Sequence, residues 1–405
     1  MTRVAIIGGG IGGLTAANAL LRAGLEVSVY EAAGELREIG AGVALHANAM
    51  RVLKFIGVEQ ATRQVAGKTD YAVTRDGLSG RVISRTSRAR QVELQGIEPA
   101  TVHRADLLDV LAAALRSNSP GEVTSLGKRC TGVESGESGA VARFADGTAA
   151  EADVIIGADG IHSAVRTALF GPDAPRFTGK ICYRSVIPAD RVRASALADV
   201  TADNGQWLGP HGTIVLYPLR GEKLINVVCH YDDDSYRHES WVTECPREEV
   251  LQRYAGWHES LLRLFEAGDT WYKWALYDRD PIPRWTKGRV SLLGDAAHPM
   301  LPYLGQGACQ ALEDGAVLAN ALAASPGDPV AALAVYERIR RPRASQVVVT
   351  ARARGVSNHL PSRWAQLRRD AAIAVRRRLN KRDADGRGAT WLADYDATSP
   401  SVLAG

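Results

Sequence analysis

The chain has 405 residues, of which 46% are hydrophobic and 23% charged. This is typical of a globular protein, and the length allows one large domain with a second, smaller one. No stretch has the length of a membrane span, and the first predicted strand begins too close to Met1 for a signal peptide, so a cytoplasmic protein without stable membrane association is expected. The net charge of +4 is too small to predict nucleic-acid binding but suits an anionic small substrate. Five cysteines without a CxxC pair predict neither a disulfide framework nor a metal site.

The first predicted elements are a strand, a glycine-rich turn and a helix. An apolar strand at residues 4–7 is followed by Gly8, Gly10 and Gly13, and helical periodicity then begins. In such a turn the first glycine permits a tight bend, the second admits a pyrophosphate and the third lets the helix pack closely. Glu31 ends the next predicted strand, about 20 residues further on, where a carboxylate can bind ribose hydroxyls. The pattern predicts a dinucleotide site and leaves NAD and FAD both open.

Two later segments place polar side chains beside predicted helix starts. Arg104 lies at the start of a helix at residues 107–116, where a cation opposes the helix dipole, which suggests a bound anion. An apolar strand at residues 152–156 ends in a turn that contains Asp159, and Ser163 is placed to cap the next helix. Two interpretations of Asp159 remain open: it belongs to an ordinary strand-to-helix turn, or it contacts a long cofactor.

The middle of the chain, residues 177–285, has the alternation of an antiparallel sheet. Strands are predicted at residues 181–187, 212–218, 224–230 and 272–277. Along the second of these, a period of two places His211, Thr213 and Tyr217 on one face. Their side chains are candidates for contact with a substrate.

A proline- and glycine-rich loop follows, between a predicted strand at residues 290–293 and a helix that begins near Ala308. Asp295 lies at the end of the strand, where a carboxylate can accept hydrogen bonds from ligand hydroxyls. Gly305 and Gly307 let backbone N–H groups approach a ligand closely. Open α/β sheets bind ligands at such points.

The sequence of the C-terminal part of the chain predicts helices. One at residues 331–340 is expected to end at Pro342, and an amphipathic one at residues 364–379 carries several arginines outside its apolar stripe. We expect the second helix to pack over the remainder of the chain or at a dimer contact, which leaves monomer and homodimer both open.

Three motifs together carry a resemblance to a known family. GGGIGG at residues 8–13, VIIGADGIHSAVR at 154–166 and GDAAHPMLPYLGQGACQALED at 294–314 resemble the class A flavoprotein monooxygenases, which hydroxylate aromatic rings. The chain is most similar to the salicylate hydroxylase, 3-hydroxybenzoate 6-hydroxylase and 6-hydroxynicotinate 3-monooxygenase branch. The resemblance implies an α/β fold with a Rossmann-like FAD-binding domain, residues 1–176 and 286–405, and an inserted, mostly antiparallel substrate domain at 177–285. The C-terminal helices belong to the first domain.

The resemblance also implies a cofactor set. FAD is expected to bind tightly and non-covalently, with Glu31 on the adenosine ribose and Asp295 on the ribityl chain. NAD(P)H is expected as a transient co-substrate, since no second glycine-rich strand-to-helix turn is present. Further positions expected near FAD are Arg37, Arg104, Asp159, Gly305, Gly307 and Ala308.

The implied reaction is hydroxylation of a small hydroxylated aromatic or heteroaromatic acid, with or without decarboxylation. NAD(P)H and O2 are consumed, and a flavin C4a-hydroperoxide supplies the oxygen atom. Two alternatives remain: a flavin-dependent halogenase or epoxidase, and a flavin-binding redox protein without hydroxylase activity. The Trp-x-Trp-x-Ile-Pro segment expected of a halogenase is missing from the sequence.

The general base is left open among Tyr217, His211 and His46. Relatives often carry histidine four residues before the position of Tyr217. This chain has Thr213 at that position, and His211 lies two residues earlier, on the same predicted strand face. His46 is another candidate for the base. A loop histidine without a role in catalysis is an equally good interpretation of this residue. Substrate contacts are expected from Thr213, Tyr217, Pro302 and Tyr303.

Overall fold

The computed structural model describes residues 1–36, 42–193, 197–201, 203–379 and 390–404. The strands are β1 (Arg3–Ile7), β2 (Glu26–Tyr30), β3 (Gly42–Leu45), β4 (Tyr71–Asp76), β5 (Val82–Ser87), β6 (Ala100–His103), β7 (Thr124–Ser125), β8 (Cys130–Ser135), β9 (Ala140–Phe144), β10 (Ala149–Ala152), β11 (Val154–Gly157), β12 (Arg176–Pro188), β13 (Asn204–Gly209), β14 (Gly212–Leu219), β15 (Leu224–Asp232), β16 (Glu244–Cys245), β17 (Trp271–Asp278), β18 (Thr286–Lys287) and β19 (Val290–Leu292). The helices are α1 (Ile11–Arg22), α2 (Ala47–Phe55), α3 (Glu59–Val65), α4 (Arg88–Gln95), α5 (Arg104–Asn118), α6 (Ala164–Phe170), α7 (Asp190–Arg193), α8 (Ala198–Thr201), α9 (Arg247–Arg253), α10 (Glu259–Glu266), α11 (Gly307–Ala324), α12 (Pro329–Asn358), α13 (Arg363–Leu379) and α14 (Thr390–Ala393). Short 3₁₀ turns span Gly294–Ala296, Pro302–Leu304 and Pro400–Ala404.

A six-stranded sheet carries the glycine-rich turn. Its strand order is β18-β19-β11-β1-β2-β7, and all neighbours from β19 to β7 are parallel. Every residue of β11 and all but the first of β1 are buried, so both faces of the sheet are covered, as the apolar runs predict. Ile7 pairs with Gly157, which pairs in turn with Leu292. The carboxyl ends of β1, β11 and β19 therefore lie side by side, and the Rossmann-like α/β prediction is confirmed.

An eight-stranded sheet forms the second layer, in the order β16-β17-β12-β15-β14-β13-β4-β5. All neighbours are antiparallel except β13 with β4. The four predicted strands are present as β12, β14, β15 and β17. Because β4 and β5 precede residue 177, the sheet is wider than the predicted segment 177–285, whose limits stay a prediction.

The two faces of the large sheet have different neighbours. Tyr183 of β12 packs into an apolar cluster with Tyr254 and Phe265, on the side of α9 and α10. Cys182 points to the opposite side, where it clusters with Tyr303 and with Ala351 of α12. That opposite side faces the six-stranded sheet and carries the site described below.

Helix α12 runs unbroken for 30 residues, so the prediction that Pro342 ends a helix is wrong. A proline inside a helix removes one backbone hydrogen bond. Here buried side chains on both sides of it, Tyr336 and Arg340 before and Val347 after, anchor the helix in the core, and this packing outweighs the local cost. Within the described part of the chain, no helix, α12 included, is both long and apolar enough to cross a membrane.

Candidate active site

A cavity of about 660 Å³ lies where the two sheets meet. That volume is typical of ligand sites. We call its two ends the glycine-loop end and the sheet end. The glycine-loop end is lined by Gly8, Gly10, Glu31, Asp159 and Asp295. The sheet end is lined by Arg184, Thr213, Tyr217, His230 and Tyr303.

The glycines of the first turn leave no room for side chains. Gly8 has φ +110°, and a Cβ atom there would lie 2.3 Å from the Ala158 carbonyl oxygen. A Cβ atom on Gly13 would lie 2.0 Å from the carbonyl oxygen of Gly8. Gly10 precedes α1 without a side-chain cap, so the first N–H groups of the helix stay available to an anion. The turn thus brings backbone donors to the cavity, as the motif predicts.

Glu31 lies beside this turn at the end of β2. Its Oε2 accepts a hydrogen bond of 2.6 Å from the Gly9 backbone N–H, and its Oε1 accepts one of 2.8 Å from Ala33. Each carboxylate oxygen has a second lone pair, so Glu31 can hold the turn and still accept from a ligand hydroxyl. Its assignment to a ribose remains a prediction.

Two carboxylates face the cavity from neighbouring strand ends. Asp159 accepts hydrogen bonds from Ser163 Oγ at 2.5 Å and from the Val165 N–H at 3.1 Å, and burial raises its pKa. Asp295 lies in a 3₁₀ turn after β19, with an exposed side chain. Buried Arg166 joins the two turns, because its guanidinium donates to the Ala296 carbonyl oxygen at 2.8 Å.

Of the two arginines that were predicted to lie near FAD, the structure describes one. Arg104 begins α5 and lines the cavity. Arg37 lies outside the described residues.

The loop from Pro302 to Ala308 closes the cavity from the side of α11. Gly305 has φ +63°, and Gly307 begins α11 without a side-chain cap before it. The first N–H groups of α11, at Gly307 and Ala308, therefore face the cavity. Pro302 and Tyr303 line the same cavity, and the ring of Tyr303 packs against Gly355, where a Cβ atom would lie 2.6 Å from it.

A fully buried ionic cluster supports this loop from behind. Arg340 of α12 donates to Asp314 at 2.7 Å and to Glu313 at 2.5 Å. Asp314 also accepts from the Gly294 backbone N–H at 3.0 Å and contacts His298 Nε2 at 2.6 Å. Burial opposes ionisation of Asp314, but His298 and Arg340 outweigh it and lower its pKa to about 2. Asp314 is therefore a carboxylate that ties α11 and α12 to the turn of Asp295.

Two predicted residues of β14 point into the sheet end. Thr213 and Tyr217 both line the cavity, in agreement with the predicted period of two. The Tyr217 ring lies directly on Gly42, where a Cβ atom would be 2.3 Å from it. Burial raises the pKa of Tyr217, although nearby Arg184 acts in the opposite direction. The phenol therefore stays protonated near neutral pH and serves as a hydrogen-bond donor.

His211 does not share this face, so its predicted position is wrong. Gly209 pairs with Gly212, which leaves His211 in the two-residue turn between β13 and β14 with φ +58°. Its side chain is 49% exposed, and Nδ1 lies 3.7 Å from Asp232 Oδ2. The alternation fails there because a positive φ reverses the chain direction before the strand begins.

His46 precedes α2 and lines the cavity on the side of the loop. Its Nε2 would lie 3.2 Å from a Cβ atom on Gly305. Of the two histidines that the sequence offers as the base, His46 is thus the one in the cavity.

The sequence analysis missed Arg184, whose guanidinium lies at the sheet end. The residue is 2% exposed, and its Nη1 has no hydrogen-bond partner among the described residues. Its Cζ lies 5.3 Å from the Trp274 ring centroid and 5.8 Å from that of Tyr272. Burial lowers its pKa. The alternation of β12, in which Arg184 follows the same face as Cys182, is the signal that could have found it.

Other polar atoms at the sheet end also lack partners within the described ranges. They are Thr213 Oγ1, both ring nitrogens of His230, and Tyr303 Oη. All three residues are buried. Unsatisfied buried polar groups are rare in proteins, and at a cavity wall they mark hydrogen-bonding positions for a ligand.

Comparisons with known proteins agree with this geometry. Residues 1–351 match the model of a family described as FAD binding domain. The chain is 40% identical to a 3-amino-4-hydroxybenzoate 2-monooxygenase of Streptomyces platensis over 98% of this chain and 96% of that protein. It is 37% identical to a 6-hydroxynicotinate 3-monooxygenase of Pseudomonas fluorescens over 85% and 89%, respectively.

Solved structures give the same result. A salicylate hydroxylase substrate complex superposes with a TM-score of 0.83 at 30% identity, covering 100% of this chain and 98% of the other. A Klebsiella pneumoniae protein in complex with FAD and uric acid also has a TM-score of 0.83, at 28% identity and with coverage of 95% and 96%.

Proposed function

The chain belongs to the FAD binding domain family and is an FAD-dependent aromatic monooxygenase, and from this we propose that its substrate is a benzoate bearing adjacent hydroxyl and amino groups. 3-Amino-4-hydroxybenzoate is the first candidate. The observation that carries the acid part of the proposal is the buried Arg184 guanidinium at the sheet end, because it has no carboxylate partner among the described residues.

The residues of the glycine-loop end fit FAD. The side-chain-free turn at Gly8 and Gly13 and the uncapped start of α1 suit a pyrophosphate, and Glu31 and Asp295 offer acceptors for hydroxyl groups. The uncapped start of α11 suits the electron-rich edge of a reduced ring system. Bound FAD supplies the activation of O2, with NAD(P)H as the source of electrons.

Arg184 supports an anionic substrate. A buried guanidinium without a counter-ion is unfavourable, and a carboxylate or phenolate bound to Nη1 would compensate the charge. Arginine suits planar oxyanions because its N–H groups form a rigid fork. The rings of Trp274 and Tyr272 lie at cation–π distance from its Cζ atom and help to hold this fork in place.

The partners offered to an amino group support the first candidate over a plain hydroxybenzoate. Thr213 Oγ1 and a ring nitrogen of His230 can both accept a hydrogen bond, and both are buried at the cavity wall. The pKa of His230 is lowered by burial to about 3, so its ring is a neutral acceptor. The protonated phenol of Tyr217 can donate to the ring oxygen and orient the substrate.

The activities named for the relatives also support an amino-hydroxybenzoate as the substrate. Two proteins of Streptomyces platensis that are named 3-amino-4-hydroxybenzoate 2-monooxygenase share 40% identity with this chain, against 37% for the 6-hydroxynicotinate enzyme. The heteroaromatic acid is the second candidate, favoured by His46 in the cavity.

A substrate panel tests the proposal. Enzyme loaded with FAD is supplied with NADH or NADPH and with 3-amino-4-hydroxybenzoate, 4-hydroxybenzoate, 3-hydroxybenzoate, salicylate or 6-hydroxynicotinate, and products are identified by mass. We expect the highest product yield per NAD(P)H with the amino-hydroxybenzoate. Product from salicylate or 6-hydroxynicotinate alone would replace the proposed substrate, and NAD(P)H loss without any hydroxylated product would refute it.

A further inference from the structure

Two tryptophans stack on each other beside Arg184. Trp274 of β17 lines the cavity and is 5% exposed. Its ring centroid lies 5.3 Å from Arg184 Cζ, and the Trp241 ring stacks on it at 5.0 Å between centroids, with an interplanar angle of 14°. Trp241 also lines the cavity but is 48% exposed. Three neighbouring side chains of the cavity wall thus lead from the buried guanidinium to the surface.

Strand pairing places Trp274 next to Arg184. Cys182 of β12 pairs with Trp274, and Arg184 pairs with Tyr272 of β17. Because residues two apart share a face, Arg184 and Trp274 are diagonal neighbours on the cavity face of two adjacent strands. Aromatic and long side chains reach each other across such a diagonal. The contact therefore follows from the register of the sheet.

The backbone on both sides of Trp274 holds the segment that carries Trp241. The N–H groups of the residues before and after Trp274 donate to the carbonyl oxygens of Thr243 and His238, each at 2.8 Å. Trp241 lies between these two attachment points. The segment is thus fastened to β17 at the position where the two rings stack.

Trp274 and Arg184 each present a donor without a partner. Trp274 Nε1 and Arg184 Nη1 are buried and have no hydrogen-bond partner among the described residues. An indole and a guanidinium can only donate, whereas the unpartnered groups of Thr213, His230 and Tyr303 can each accept. Buried donors without acceptors are unfavourable. A ligand group that only accepts, such as a carboxylate, would satisfy both donors, and an amino group would not.

The register separates these donors from the groups that can accept. Thr213 pairs with His230, His230 with Cys182, and Cys182 with Trp274. Thr213 and Trp274 therefore lie three strands apart, about 14 Å at the backbone. The side of the sheet end at β12 and β17 offers donors only, and the side at β14 and β15 offers acceptors. An aromatic ring held between the two sides has a defined direction.

We propose that Trp274 is a second binding residue for the substrate carboxylate, which its indole N–H holds together with the guanidinium of Arg184. Trp241 is the positioning residue that keeps the indole in place. The inference rests on the proposed aromatic acid substrate. It directs the carboxylate toward β12 and β17, and the amino and hydroxyl substituents toward β14 and β15.

The test compares two ligands that differ only in the carboxylate. 3-Amino-4-hydroxybenzoate and 3-amino-4-hydroxybenzamide are titrated into oxidised holoenzyme in a calorimeter. The dissociation constant of the amide divided by that of the acid is the carboxylate preference. If the tryptophans only pack the wall, their replacement should weaken both ligands equally and leave the carboxylate preference unchanged.

Trp274→Phe is expected to lower the carboxylate preference about tenfold. The substitution keeps an aromatic ring but removes one hydrogen bond to a charged group. Trp271→Phe is the matched control, because Trp271 is also on β17 and its Nε1 also lacks a partner among the described residues, but it packs in the apolar cluster on the opposite face. The control should keep the wild-type value. An unchanged preference in Trp274→Phe, or an equal rise of both dissociation constants, would overturn the proposal.

Trp241 is tested at the surface. Trp241→Leu should lower the carboxylate preference about threefold, because Trp274 loses its stacking partner. Trp241→Phe should restore most of the loss, since a phenyl ring can stack in its place. A wild-type value in Trp241→Leu would refute the positioning role.

A second replacement keeps the proposal testable if Trp274→Phe fails to fold. Trp274→3-benzothienylalanine keeps the ring shape and has sulfur in place of the indole N–H. It should lower the carboxylate preference as Trp274→Phe does, and a wild-type value would refute the assigned hydrogen bond.

These titrations need no turnover, so they separate the inference from the proposed function. Absent hydroxylation in the substrate panel together with an intact carboxylate preference would refute the proposed reaction alone. Equal binding of acid and amide by the wild type would overturn the carboxylate site.

Discussion

The glycine-loop end of the cavity is built from backbone at three neighbouring strand ends, whereas the sheet end is built from side chains of separate strands and helices. At the first end, Gly8 and Gly13 exclude side chains, and donors come from the main chain. At the second end, Arg184, Tyr217 and Tyr303 come from β12, β14 and the loop before α11. Backbone geometry thus shapes the glycine-loop end, and side chains brought together by the fold shape the sheet end.

The substitution with the largest expected effect is Gly13→Ala, which tests whether backbone geometry forms the glycine-loop end. A methyl group there would lie 2.0 Å from the Gly8 carbonyl oxygen, and only movement of α1 could relieve the clash. We expect loss of FAD and a fall in stability of about 3 kcal/mol, in the range of overpacked sites. Bound flavin by absorbance and the free energy of unfolding are measured. Gly121→Ala, where a Cβ atom meets nothing within 4 Å, is the control and should be neutral.

Asp295→Ala is expected to weaken FAD binding without harming the fold. The side chain is exposed to the cavity, so its removal leaves the core intact. Loss of charged hydrogen bonds to hydroxyl groups corresponds to about a 10- to 100-fold rise in the dissociation constant. Flavin retained after gel filtration gives the measurement, and full occupancy at low FAD concentration would exclude the proposed role.

Arg184→Met should separate activity from stability. Removing the guanidinium should lower kcat/KM by about 100-fold, the value of a charged hydrogen bond. Because the charge is buried without a carboxylate among the described residues, stability should stay equal or rise. Melting temperature and hydroxylation kinetics are compared with those of Arg191→Met, at an exposed arginine paired with Asp269. A large drop in melting temperature would mean that Arg184 is structural.

Tyr217→Phe is expected to have the smallest effect, about a tenfold loss of hydroxylation with FAD binding unchanged. The substitution removes only the hydrogen bond that the phenol is proposed to donate to the substrate, and the ring that packs on Gly42 is retained. Product formed per NAD(P)H consumed should fall, because a poorly oriented ring is hydroxylated less efficiently. An unchanged product rate would remove Tyr217 from the site.

The sequence predicted the glycine-loop end well because each of its parts is local. A strand, a turn and a helix start within a few residues of one another, and parallel pairing then aligns the strand ends. Glu31, Asp159 and Asp295 accordingly line one cavity.

The sheet end was harder to predict because its residues come together only through non-local strand pairing. Arg184 and His230 lie on strands that pair in register, yet nothing near either residue in sequence indicates this. His211 was misplaced because strand alternation was extended across a turn. β4 and β13 were missed because their short sequences mix polar, charged and apolar residues.

Helix α12 connects both ends of the cavity. Along its length, Tyr336 donates to the Leu292 carbonyl oxygen of β19 at 3.0 Å, Arg340 holds Asp314, and His359 contacts Asp232 of β15. Each residue of a helix advances it by about 1.5 Å and turns it by about 100°. Inserting or deleting one residue between Arg340 and His359 would therefore turn His359 away from Asp232 while Tyr336 stayed in place. The length of this helix is under tighter constraint than the identity of its exposed residues.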